Sequence, residues 1–149
     1  MRALLDINVL IALFDVDHPF HSTSAEWLKQ NVRGGWASCP LTQNGCVRIM
    51  SQPGYPHAVP ASVVIERLRE ATSNAAHQFW PDDVSVLDEK VIDAKQVHGP
   101  RQITDTYLLA LAVEHAGRFV TFDAGVALSA VKNATAKNLL VLGVEAPKP

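Results

Sequence analysis

Residues 2–14 read RALLDINVLIALF, and this stretch decides the fold. Residues 2–5 end in Ala3-Leu4-Leu5, a short apolar run of strand size. Asp6 interrupts it, and residues 8–14 are then apolar throughout apart from Asn8, which suits a helix buried in an interior. A strand joined to a buried helix by a single acid is the first half of a βαβ unit. It predicts a parallel sheet with helices on both faces.

The rest of the chain repeats that alternation. Ser22 or Thr23 is the expected cap of a second helix carrying Ala25, Trp27 and Leu28, which Gly34 and Gly35 end. Residues 36–39 predict strand two, and Pro40 leads into a third helix over residues 41–50. Residues 52–60, QPGYPHAVP, hold three prolines and a glycine and predict a loop. Val64, Ile65, Leu68 and Ala71 recur at helical spacing, which predicts a helix over 61–76. Strand three is expected over 84–87, followed by a short helix over 89–97 capped by Asp88. Thr104 is the expected N-cap of a buried helix over 105–116 that Gly117 ends. Strand four is expected over 119–122, a short helix over 124–131, and strand five over 139–142. The expectation is one α/β domain across residues 1–149, with five parallel strands in the order 3-2-1-4-5 and about seven helices.

Composition agrees with that class. At 149 residues, 48% hydrophobic and 19% charged, the chain can bury a continuous core and is neither disordered nor fibrous. Thirteen Lys and Arg against fifteen Asp and Glu argue against a broad basic face for nonspecific nucleic-acid binding, though not against a local grip through a metal. Cys39 and Cys46 are seven apart, which is neither a disulfide framework nor a zinc motif; they read as buried reduced thiols. No run reaches the ~20 apolar residues of a membrane span, and Asp6 breaks any leader-like start, so a soluble cytoplasmic protein is expected.

Three aspartates share one structural address. Asp6 directly follows strand one, Asp123 directly follows strand four, and Asp105 opens the buried helix. In a parallel α/β sheet, ligands gather beyond the carboxyl ends of the strands where strand order reverses. In the order 3-2-1-4-5, strands one and four are neighbours there. Carboxylates crowded together repel, and a hard cation such as Mg²⁺ or Mn²⁺ relieves the repulsion. Such an ion activates water and polarises a phosphodiester, so the spacing points to metal-assisted phosphodiester hydrolysis. A plain helix cap or turn is the alternative for each Asp taken singly.

At these residues the sequence resembles a family. Asp6-Ile7-Asn8, Ile103-Thr104-Asp105 and Thr121-Phe122-Asp123 are similar to the acidic motifs of PIN-domain ribonucleases, more narrowly the VapC toxins of bacterial toxin–antitoxin pairs. Leu41-Thr42-Gln43-Asn44-Gly45 with Val47-Arg48-Ile49, Phe79-Trp80-Pro81-Asp82-Asp83, and Tyr107 to Ala112 add to the likeness. The resemblance covers nearly the whole chain. It implies a PIN fold, a Mg²⁺- or Mn²⁺-dependent endoribonuclease, dimerisation, and inhibition by a cognate VapB-type antitoxin. Asp6, Asp105 and Asp123 match the family's catalytic and metal-holding acids residue by residue. One departure stands out. The Glu that PIN domains usually carry early in the third helix is missing, and Gln43 and Asn44 stand there. That keeps open a catalytically degenerate PIN domain that binds RNA or protein without cutting.

Around the acids, Asn8, Asn44 and Thr121 are the expected supports of a carboxylate or contacts to substrate. Asp82 and Asp83, placed before strand three, read as turn residues at the wrong end of the sheet. His18 and His21 lack two further zinc ligands. Arg48 and Arg101 are candidates for phosphate contacts. Trp27, Trp36 and Trp80 read as core anchors. A phosphoacceptor receiver domain also has five parallel strands, but it needs an acidic pair after strand one, and Asp6 has no acidic neighbour. An antitoxin is expected to lay a basic segment over the acids and an amphipathic helix along an apolar groove of the first two helices, around Val9, Leu10, Leu13, Phe14, Trp27 and Leu28.

Overall fold

The computed structural model describes residues 1–143. Five parallel strands form one sheet in the order β3-β2-β1-β4-β5: β1 Ala3–Leu5, β2 Trp36–Ser38, β3 His77–Phe79, β4 Arg118–Thr121 and β5 Leu139–Val141. β1 lies at the centre, with Leu4 opposite Ala37 on one side and Phe119 on the other. Side chains alternate across the sheet as strand geometry requires. Ala3, Leu5, Trp36 and Val120 face one layer, built from α1 (Ile7–Phe14), α2 (His21–Asn31), α3 (Pro40–Ser51) and α4 (Ala61–Ala71). Leu4, Ala37 and Phe119 face the other, where α5 (Ile103–Glu114) buries Leu108, Leu109 and Leu111 beside Trp80.

The order and the parallel sense match the sequence expectation, but several elements differ. Strand three is His77–Phe79, not residues 84–87. As an edge strand it needs little apolar cover, and its His-Gln-Phe sequence carries no strand signal. Residues 84–87 run over the surface instead, with Leu87 86% exposed. The helix expected over 61–76 stops at Ala71, because Ser73 Oγ donates to Glu70 O at 2.6 Å and Asn74 Nδ2 to Ala71 O at 3.1 Å, competing for its last carbonyls.

The helices expected over 89–97 and 124–131 are single turns of 3-10 type, Ala94–Gln96 and Leu128–Ala130. Beyond those single turns the two stretches bond to each other instead of continuing as helices: Asp93 N donates to Ala130 O at 3.0 Å and Lys132 N to Val91 O at 2.8 Å. The expected caps also shift. Thr104 lies inside α5, whose cap position is Gln102, and α2 starts at His21 after Phe20 with no capping by Ser22 or Thr23. Val9 and Leu10, expected on a groove, are fully buried core.

Candidate active site

β1 ends at Leu5, and Asp6 makes the turn into α1. Its backbone N–H bonds Val120 O of β4 at 2.9 Å, and its Oδ1 accepts from Ile7 N at 2.7 Å, so Asp6 is itself the N-cap of the first helix. It is 5% exposed. Thr121, the last residue of β4, donates its hydroxyl to Asp6 Oδ2 at 2.6 Å and accepts from Asp123 N at 3.0 Å. One hydroxyl thus ties together the two strand ends that the topology makes neighbours. Asp123 follows two residues on, exposed, with Oδ1 accepting from Gly125 N at 2.7 Å. Asn8 reaches the same corner rather than a carboxylate: its amide lies 3.4 Å from both Thr121 Oγ1 and Phe122 N.

Asp105 sits half-buried in the first turn of α5, near enough to the Asp123 carboxyl for the two to share a hydrogen bond when one of them is protonated. Burial, then that bond, then the charges of Asp6 and Asp123 push Asp105 up to about 8. Asp123 is held low because the Asp105 proton bonds to it. Burial also raises Asp6, against the opposing bonds from Thr121 and Ile7. The three acids therefore form one electrostatic unit, in which a proton between Asp105 and Asp123 neutralises part of the charge.

This donor set suits a hard divalent cation, since the groups it offers are carboxylate oxygens whose mutual repulsion a cation relieves. Among the described residues, no three His, Cys, Asp or Glu side chains are grouped closely enough to hold an ion together. Mg²⁺ does not require such a group, being commonly held by one or two carboxylates while water completes its octahedron.

α3 brings a neutral wall to the site. Gln43 is committed to the sheet, its Nε2 donating to Ser38 Oγ at 2.9 Å. Asn44 is exposed and lines an open groove of about 980 Å³ whose walls include Ile7 and Thr104, the neighbours of Asp6 and Asp105. Asp82 lines the same groove. Because strand three lies earlier than the sequence suggested, Asp82 and Asp83 follow β3 and stand at the carboxyl edge of the sheet, not the opposite one. Asp83 Oδ1 lies 3.0 Å from His115 Nε2, whose ring stacks on Trp80. Sequence reasoning misplaced Asp82 because the polar β3 gave no signal; only the Pro81 break after Phe79-Trp80 hinted at a strand end there.

The remaining candidates are structural or peripheral. His21 Nδ1 bonds Ala12 O and His18 Nδ1 accepts from Phe20 N, and among the described residues no group of three His, Cys, Asp or Glu side chains completes a zinc site. Cys39 and Cys46 are buried and free, Cys46 pushed up to about 12 by burial. Trp36 and Trp80 are core.

Residues 3–132 match the PIN domain family. Ribonuclease VapC44 of Mycobacterium tuberculosis is 53% identical over 142 residues, covering 95% of this chain and 100% of that protein. Ribonuclease VapC39 of the same organism is 43% identical over 131 residues, covering 87% and 94%. The crystal structure of VapBC2 from Rickettsia felis, bound to a promoter DNA fragment, shares the fold with a TM-score of 0.60 at 10% identity, covering 95% of this chain and 99% of that one. A fold whose strand order sets three acids at one sheet edge thus coincides with extensive sequence identity, and the chain belongs to the PIN-domain family, among its VapC ribonucleases.

Proposed function

We propose that residues 1–149 form one PIN domain acting as a metal-dependent endoribonuclease, the toxin of a toxin–antitoxin pair. The observation that carries this is the convergence of three acids at one sheet edge: Thr121, between the neighbouring strand ends, bonds the Asp6 carboxylate and the Asp123 backbone, and Asp105 opens α5 beside them. The high identity to proteins named ribonucleases supports the substrate class. Asp6, Asp105 and Asp123 are the residues to hold Mg²⁺ or Mn²⁺, which when bound supplies Lewis acidity toward water and the scissile phosphate. The chain's own groups prepare that site. Asp105, which burial and the neighbouring acids push up to about 8, would release its proton to solvent to take up a cation. Thr121 orients Asp6 through its hydroxyl and Asp123 through the backbone, and Asn8 braces the same corner. Asn44 offers the cleft an amide without charge.

The partners proposed are a VapB-type antitoxin, an RNA substrate and a second copy of the chain in a homodimer. The solved relative is a VapBC pair, which supports the first. Among the described residues no helix is long and apolar enough to cross a membrane, and a cytoplasmic location is proposed.

Incubation with RNA in Mg²⁺, Mn²⁺ or EDTA tests the function. Endonucleolytic products with either metal, lost in EDTA and in Asp105→Asn, are expected. Asn44 in place of the family's Glu favours one second reading, a PIN domain that binds without cutting. RNA retention with no cleavage in either metal decides for it.

A further inference from the structure

We infer that the groove between α3 and α4 is the path of the single-stranded RNA leading to the acids, with Arg48 and Arg69 gripping the phosphates that flank the scissile one. This rests on the ribonuclease reading and extends it away from the acids. α3 and α4 form a helical hairpin, closed where Val59 N bonds Met50 O at 3.3 Å. The groove between them is continuous with the carboxylates, since Ile7 and Thr104 belong to its lining. α3 meets Ile7, the neighbour of Asp6, at Gly45. Asn44 stands beside it, Arg48 lies one turn on, and Arg69 belongs to the wall from α4. From Asn44 to Ser51 the helix advances about 10 Å at 1.5 Å per residue. That is room for about three nucleotides at about 3.4 Å each in a stacked strand.

Charge decides the occupant. A strand of RNA repels three carboxylates everywhere except where a cation binds, so its other phosphates need cations of the protein's own. With a net charge of −2 the chain has no general basic surface, yet two guanidinium groups line the groove that meets the acids. Both Arg48 and Arg69 are exposed, so their charges reach solvent. Arg69 also pairs with Glu66, but an exposed pair of this kind holds its partners weakly. Val47 and Leu68 give the groove an apolar floor for ribose and base faces. Among the described residues of the lining, Asp82 is the one carboxylate against two guanidinium groups, so the wall keeps a positive excess that attracts a polyanion and repels a basic peptide.

Binding of a fluorescent 12-nucleotide unstructured RNA to the full chain, in EDTA so that nothing is cut, tests this across a salt series. Each phosphate contact contributes a slope of about −0.7 in log K against log salt. Arg48→Gln and Arg69→Gln should each remove about one contact. The double variant should therefore lose about 7-fold less affinity than the parent between 50 and 200 mM salt. Arg33→Gln, outside the groove, should leave the slope alone. Thermal melts confirm that each variant folds. An unchanged slope in the double variant overturns the path while leaving the ribonuclease reading intact. If those variants weaken a cognate antitoxin but not RNA, the groove belongs to the protein partner and the path is also wrong. A parent that neither binds RNA in EDTA nor cuts it in Mn²⁺ sinks the ribonuclease reading, and the path with it.

Discussion

Thr121 is the residue on which the acidic corner turns. Its hydroxyl donates to one carboxylate and accepts from the backbone of another, so Thr121→Val keeps the shape and removes both bonds. Supporting groups of this kind typically cost 10–100-fold when lost. RNA cleavage by Thr121→Val should fall by about that factor, with the melting temperature nearly unmoved because Val fills the same space. Asp105 gives a pH signature. Its ordinary value is 3.8 and its folded value about 8, so the folded state binds its proton the more tightly. That contribution to stability is complete below pH 3.8 and is lost as pH rises through about 8. Metal-free protein should therefore melt lower at pH 9 than at pH 6, and Asp105→Asn should flatten that difference. A variant as pH-sensitive as the parent would show the proton to reside elsewhere. Asp6, Asp105 and Asp123 were legible in the sequence because each ends or opens an apolar run. Thr121's bridging role was only half legible, since a β-branched residue in a strand needs no further reason. That Gln43 is drawn to Ser38 while Asn44 stays exposed on the groove wall depends on helix rotation, which the sequence alone does not set.

At the scale of elements, apolar patterning read well where burial is two-sided and failed where it is not. β1, β4 and α5 are enclosed by protein and announce themselves. β3 lies at an edge with Phe79 half-exposed, and Val84, Val86 and Leu87 imitate a strand on the surface. The end of α5 shows a subtler substitution of roles. Gly117 was expected to end the helix, but the left-handed residue that stops it is Ala116, with φ 53°. Gly117 N bonds Ala112 O at 2.8 Å and Ala116 N bonds Val113 O at 3.0 Å, the paired bonds of a Schellman ending. Gly117 is glycine for room: a Cβ there meets Arg2 O and the Trp80 ring, each at 2.6 Å. This junction fixes α5, and hence Asp105, against the strand that leads to Asp123. Gly117→Ala should lose about 1–3 kcal/mol by overpacking, while Ala116→Gly should gain roughly 0.5–1 kcal/mol by relieving the left-handed alanine. Denaturant midpoints of the two variants should move in opposite directions; two losses would mean that Ala116 has packing that glycine cannot replace.

Across the whole molecule, the acids join elements that are far apart in sequence: Asp6 after β1, Asp105 on α5 and Asp123 after β4. A cation seated on them binds the folded chain and not the unfolded one, so it should stabilise the entire domain by mass action. At a Mn²⁺ concentration of 100 times Kd the gain is about 2.7 kcal/mol. For a domain of this size that is a rise of roughly 5–10 °C in melting temperature, at about 2–4 °C per kcal/mol. The gain should grow from pH 6 to pH 8.5, because the cation displaces a proton that Asp105 keeps up to about 8. Asp105→Asn should lose most of it. The basic antitoxin segment expected over the acids would compete for the same carboxylates, since a guanidinium can pair with them bidentately. Saturating Mn²⁺ should therefore weaken antitoxin binding in the parent and change it little in Asp105→Asn. Calorimetric titration of antitoxin into both proteins, with and without Mn²⁺, measures this directly. Equal affinity in the parent under both conditions, alongside a Mn²⁺-dependent rise in melting temperature, would place the antitoxin away from the acids and require it to inhibit by another route, such as filling the α3–α4 groove.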